Sequence, residues 1–156
     1  MKKIKSIGLV AHDNQKKELL EWIEFNWEKL IEFDLICTGT TGKLVEALLL
    51  EKSREAGIKP AKIIRLKSGP LGGDQQMGAM IAEGKIDLLI FLWDPMEQQP
   101  HDVDVKALLR ITVLYNIPAA SNRSSADFII SSQLMKTGYN PVTSDYSSYL
   151  ERSLKK

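Results

Sequence analysis

The 156-residue sequence is poor in the residue types that announce metal, redox or nucleic-acid chemistry. One cysteine, Cys37, excludes an internal disulfide and a cysteine-rich metal site. Its place in an apolar run reads as a buried small hydrophobe rather than a nucleophile. Neither sign of charge prevails, because 21 Lys and Arg stand against 20 Asp and Glu for a formal +1, so there is no electrostatic footprint for nucleic acid. Long hydrophobic runs are missing as well. The longest, Leu88 to Trp93, falls far short of the about 20 residues that span a bilayer. The chain opens directly into a strand pattern without a signal-peptide region, so a cytoplasmic protein with no membrane partner is expected. There are no internal repeats and no low-complexity segments. What remains is ordinary globular composition, 44% hydrophobic and 26% charged, at a length that fits one domain over 1–156.

The apolar pattern alternates between short runs and helical spacing. Ile4 to Ala11 reads as a first strand that ends at His12-Asp13-Asn14, and Leu19, Leu20, Ile23, Trp27, Leu30 and Ile31 predict a helix from about Gln15 to Leu30. Asp34 to Cys37 is a second strand. Leu44, Val45, Leu48, Leu49 and Ala56 predict a helix that Gly57 ends. A buried third strand over Ile63 to Leu66 leads through a glycine-rich loop to a helix over Met77 to Ala82, closed by Gly84. The fourth strand, Ile86 to Trp93, is nearly continuous in apolar residues, as a strand buried on both faces should be. A polar loop with two prolines follows, then a helix from about Val103 to Tyr115 and a short fifth strand at Ile117 to Ala120. Helices over about Ser125 to Ser131 and Ser144 to Ser153 complete the chain. Such alternation with short connections predicts an α/β fold, a parallel sheet with helices on both faces and right-handed crossovers. Ligands of such sheets bind outside the carboxyl ends of the strands, and every polar cluster falls on that edge.

Three of those clusters carry candidate chemistry. Thr38-Gly39-Thr40-Thr41-Gly42 offers hydroxyls and backbone N–H groups at a helix start, suited to a phosphate or carboxylate; it also reads as a plain threonine cap. It is too short for a nucleotide-binding loop, so a small anion is indicated. Lys16 can reach the same anion, and Ser68-Gly69 can complete the cradle, although a solvated lysine and a simple turn are the ordinary readings. Between Ser68 and Gln76 three glycines and a proline surround Asp74, whose ordinary reading is a helix cap. The only histidines, His12 and His101, are each followed by Asp, and Asp74, Asp94, Asp104 and Asp127 lie near strand ends or helix starts. Carboxylates and imidazoles beside an anion site are what general acid–base chemistry needs. A metal is the rival, with Mg²⁺ held through phosphate as its remaining form, since no recognised ligand spacing is present.

Val10-Ala11-His12-Asp13, the threonine loop, Ser68 to Gln76, Phe91-Leu92-Trp93-Asp94-Pro95 and Pro100 to Leu108 together resemble the methylglyoxal synthase family, in the family's order, from about residue 7 to 130. The resemblance implies a three-layer α/β/α fold with a five-stranded, mostly parallel, flavodoxin-like sheet, and a homohexamer. It implies conversion of glycerone phosphate (dihydroxyacetone phosphate) to methylglyoxal, with inorganic phosphate as product and inhibitor and no organic cofactor or metal. Asp74 matches the family's base, His101 its neutral electrophile and proton shuttle, and Asp104, with Asp13 and Asp94 in support, the groups that orient that histidine or share its protons. His12, Lys16, Thr38, Gly39, Thr40, Thr41, Ser68, Gly69 and His101 match substrate-binding positions. Some members place an arginine near the C-terminus that reaches a neighbouring site; here Ser153 falls there and Arg152 precedes it. The same fold serves as a regulatory binding module in carbamoyl phosphate synthetase, and isomerisation of the same triose phosphate is the rival reaction.

Overall fold

The computed structural model describes residues 2–97 and 102–152. Strands β1 (Ser6–Ala11), β2 (Asp34–Cys37), β3 (Ile63–Arg65), β4 (Leu88–Leu92) and β5 (Ala119–Ala120) form one sheet in the order β3-β2-β1-β4-β5, and every pair is parallel. Helices α1 (Lys16–Leu30), α2 (Gly39–Ala56), α3 (Gly73–Ala82), α4 (Asp102–Leu114) and α5 (Arg123–Ser131) alternate with the strands, followed by the short α6 (Leu134–Thr137) and α7 (Ser147–Arg152). The result is the expected three-layer, flavodoxin-like α/β/α architecture.

The alternation of side chains along β1 divides the core. Ile7, Leu9 and Ala11 face one side, where Leu19, Trp22 and Ile23 of α1, Val45 and Leu49 of α2, and Ala126 and Ile130 of α5 pack on them. Val10 faces the other side with Phe91, against Met77 and Ile81 of α3 and Val105 and Leu108 of α4. Each fully buried side chain of this size contributes about 1.5–3 kcal/mol through removal from water. Trp22 adds a polar tie, its indole N–H donating to Asp127 of α5 at 3.0 Å.

Several boundaries differ from the expectations. β3 is not buried: it is an edge strand with only β2 beside it, so Ile63 and Ile64 are half covered and Arg65 is exposed. β5 shrinks to two residues because Pro118 has no N–H for the ladder, although its carbonyl still accepts from Leu89 at 3.0 Å. α2 and α3 start at Gly39 and Gly73 rather than Leu44 and Met77. The first turn of a helix needs no core-facing residue, so hydrophobic spacing does not register it.

Parallel register brings the strand ends together. Leu9 pairs with Cys37, Cys37 with Arg65, and Ala11 with Leu92. The residues that follow, His12, Thr38, the Ser68 turn and Asp94, therefore meet at one edge, across the point between β1 and β4 where the winding reverses.

Candidate active site

A cleft of about 260 Å³ opens at that edge. His12, Asp13 and Lys16 line it from the end of β1 and the start of α1; Thr38, Thr40 and Thr41 from the start of α2; and Ser68, Gly69 and Asp74 from the loop and first turn that lead into α3. Pro70 and Glu97 also line it, two residues to which the sequence assigned no role.

The anion side is built by close backbone approach. A β-carbon on Gly39 would sit 2.7 Å from the Ser68 nitrogen, so only glycine lets the threonine loop lie against the Ser68 turn. The two turns are then fastened by Gly39 N–H donating to the Lys67 carbonyl at 3.1 Å. Thr38 stands extended ahead of α2, and Gly42 makes the first bond of that helix, to the Thr38 carbonyl at 2.7 Å. The amides of Thr40 and Thr41 precede that bond and belong to the helix end that attracts anions. Lys16 reaches the same space and pairs with Asp13, whose side chain is 95% exposed. The Lys16 ammonium holds the Asp13 carboxyl below the usual carboxylate range.

Asp74 is the buried carboxylate of this cleft, only 8% exposed. Contrary to the capping reading, it is the second residue of α3, and the cap position belongs to Gly72 at φ 103° with no side-chain cap bond. A side chain on Gly73 is impossible, since its β-carbon would fall 1.9 Å from the Lys67 carbonyl oxygen. That contact draws the start of α3 under the Ser68 turn, where both Asp74 oxygens lie 3.4 Å from the point at which a Gly69 side chain would begin.

His12 is held by its neighbours in one tautomer. Its Nδ1 accepts the backbone N–H of Asp94 at 2.9 Å, which leaves the proton on Nε2. Glu97 lies 3.5 Å from the same Nδ1, a contact that would favour a proton there. Nδ1 cannot accept and donate at once, and the shorter amide bond makes it the acceptor. Phe91 meets that ring edge-on at 5.5 Å and limits its rotation.

Asp94 is buried behind the cleft rather than lining it. One carboxylate oxygen accepts from Asn14 Nδ2 at 2.8 Å and the other from the Met96 amide at 2.9 Å, and these bonds, Asn14 first, hold its carboxyl below the usual range. Asp104, on α4, accepts from Gln75 Nε2 at 2.9 Å. Asp127 belongs to the α1–α5 contact and not to the cleft. Burial, then the nearby Glu46 charge, push the Cys37 thiol up to about 12, in keeping with a packing residue. Arg152 lies over the Tyr149 ring at 5.9 Å. His101 and Ser153 lie outside the described residues. Gln75 stood within a recognised motif and Asn14 in the polar loop that ends β1, but their bonds join segments far apart in sequence, and no local signal announces them.

A family model described as MGS-like domain matches residues 18–121. The methylglyoxal synthase of Maridesulfovibrio salexigens is 56% identical, across 99% of this chain and 100% of the relative. This chain belongs to the methylglyoxal synthase family. Within the family, the methylglyoxal synthase of Oleidesulfovibrio alaskensis is 53% identical over 97% of both chains. The crystal structure of methylglyoxal synthase from Elizabethkingia anophelis superposes with a TM-score of 0.81 at 48% identity, covering 96% of this chain and 91% of the other.

Proposed function

We infer that this chain is a carbon–oxygen lyase that converts glycerone phosphate into methylglyoxal and inorganic phosphate. The observation that carries the reading is Asp74, a buried carboxylate set against the Ser68-Gly69 turn and beside the threonine loop, in one cleft that also receives Lys16. Two helix starts, the Thr hydroxyls and the Lys16 ammonium suit the dianion of a phosphate monoester. With the phosphate held there, Asp74 takes a proton from the carbon beside the ketone, and the electron pair moves to the carbonyl oxygen to form an enediol. His12, its Nδ1 occupied by the Asp94 amide, donates from Nε2 toward the substrate oxygens. His101, in the role the family resemblance gives it, moves a proton between the enediol oxygens, and Asp104 is the carboxylate that the same resemblance assigns to orient it. The enediol then expels phosphate by breaking the C–O bond, and the remaining enol becomes methylglyoxal. Cations and amides that stabilise phosphate as it leaves favour elimination over isomerisation. Asp94 acts in this scheme as a positioning residue, through its amide on His12.

The same reading takes residues 1–156 as one domain and the enzyme as a cytoplasmic homohexamer that inorganic phosphate inhibits. Among the described residues no helix is long and apolar enough to cross a membrane. Phe25 and Phe128, 84% and 83% exposed, supply apolar surface that assembly would cover; the number six comes from the family resemblance. The deciding assay incubates the purified chain with glycerone phosphate and follows phosphate, methylglyoxal and glyceraldehyde 3-phosphate together. Equal release of phosphate and methylglyoxal is expected. Glyceraldehyde 3-phosphate without phosphate release identifies an isomerase, and phosphate binding without turnover identifies a binding module.

A further inference from the structure

Three consecutive residues at the start of α3 point in three directions, because successive helix positions are rotated by about 100°. Asp74 faces the cleft. Gln75 reaches across to α4, where its Nε2 donates to Asp104 at 2.9 Å. Gln76 turns back toward the exit of β3, where its Oε1 accepts the backbone N–H of Lys67 at 2.8 Å. Lys67 immediately precedes the Ser68 turn, its carbonyl accepts the Gly39 amide of the threonine loop, and the same carbonyl bears on Gly73. Gln76 therefore fastens the helical turn that carries Asp74 to the junction of both anion-binding turns, and Gln75 fastens it to the helix that carries Asp104.

We propose that Gln75 and Gln76 are a divided pair of positioning residues for the lyase reaction inferred above, on which this proposal rests. Gln76 sets where the phosphate sits relative to Asp74, and Gln75 sets where Asp104 sits relative to the same carboxylate. A proton transfer and a phosphate departure on one three-carbon substrate need the two ends of the site at a fixed separation. A misplacement of about 1 Å is enough to cost on the order of a hundredfold in rate. The two amides do opposite work. Gln76 is used as an acceptor, a task a glutamate carboxylate performs equally well, whereas Gln75 is used as a donor toward a carboxylate, a task glutamate cannot perform and which its charge opposes.

The test is the isosteric exchange at each position. Gln76→Leu is expected to raise KM for glycerone phosphate and the inhibition constant of inorganic phosphate together by about tenfold and to lower kcat as the phosphate shifts relative to Asp74, and Gln76→Glu to return all three toward the starting values. Gln75→Glu is expected to lower kcat by about tenfold with KM and phosphate inhibition within about threefold, and Gln75→Met to lower kcat in the same direction. Glutamate variants that behave alike at the two positions, or a Gln76→Leu defect that Gln76→Glu does not relieve, overturn the proposal. Should Gln76→Leu unfold, the contrast between the two glutamate variants decides alone. Phosphate binding by calorimetry on the same proteins separates the two claims. An original chain that turns over no glycerone phosphate defeats the lyase reading, whereas equal phosphate affinity in Gln76→Leu and the original chain defeats the role of Gln76.

Discussion

Two cavities lie at opposite ends of the same parallel sheet, and each contains a lysine–aspartate pair. At the amino end, a cavity of about 180 Å³ is lined by Lys2, Asp87, Tyr115 and Tyr139 among others. There Asp87 is paired with Lys2 at 2.6 Å, and it also accepts from the amides of Lys5 at 2.9 Å and Ser6 at 3.2 Å and from the Ser6 hydroxyl. Its polar groups point at one another and at the backbone, and they clamp the start of β1 to the turn before β4. At the carboxyl end the pair is Lys16 with an exposed Asp13, and the threonines at the start of α2 and the Ser68-Gly69 turn line the cleft beside it. The same residue types thus brace the backbone at one end of the sheet and line an open cleft at the other, the cleft proposed above to take an anion. Charged residues in a cavity mean little alone; where their hydrogen bonds go separates a brace from a binding site.

That contrast predicts opposite phenotypes, and Asp74→Asn gives the largest. General base catalysis is worth about 10²–10⁴-fold, so kcat is expected to fall by at least that order. The urea midpoint and the affinity for inorganic phosphate should stay close to their starting values. Turnover within tenfold of the original would remove Asp74 from the role.

Next in size is Lys16→Met, which keeps the apolar stem and deletes the charge. A hydrogen bond to a charged group contributes about 1.5–3 kcal/mol, so competition by inorganic phosphate should weaken by roughly ten- to a hundredfold. The effect should shrink at high salt, as screening dictates. Unchanged phosphate inhibition would move the anion away from the carboxyl end and erase the difference between the two cavities.

The carboxyl-edge cleft was legible because its parts are consecutive. The threonine loop, the Ser68 turn and His12-Asp13 each follow an apolar run directly, and parallel winding brings such loops to one edge whatever the strand order. What sequence could not give depends on that order. β3 reads as buried from its isoleucines, and only the position of β2 makes it an edge. The first turns of α2 and α3 read as loops because Gly39 and Gly73 there serve close backbone approach rather than hydrophobic spacing. Asp94 resembles a free acid until Asn14 and the Met96 amide take its two oxygens. Asp87 drew no attention at all, since nothing in its own neighbourhood shows that Lys2 and the Lys5 and Ser6 amides converge on it from more than eighty residues away.

Asp87 provides the smallest effect and the one that tests the brace directly. Burial alone would raise its pKa, but the Lys2 ammonium and the amides of Lys5 and Ser6 outweigh burial and hold it below the usual carboxylate value. A carboxyl with a lowered pKa in the folded chain contributes stability that is present above the unfolded value of about 3.9 and is lost as pH falls through the folded value. Asp87→Asn preserves shape and one acceptor oxygen while deleting the charge. It is expected to lower stability at pH 7 by about 1–2 kcal/mol, the scale of a hydrogen bond to a charged partner less what the amide retains. Measured by urea unfolding at pH 7, 5, 4 and 3, roughly the range that brackets a carboxylate, the gap between variant and original should hold down to about pH 4 and close below it. Turnover of glycerone phosphate should not change, because Asp87 lies at the other end of the sheet from the cleft. A gap that persists undiminished at pH 3 would assign the brace to hydrogen-bond geometry instead of charge. A loss of turnover with intact stability would show that the two ends of the sheet are coupled, and the separation of brace from binding site would fail.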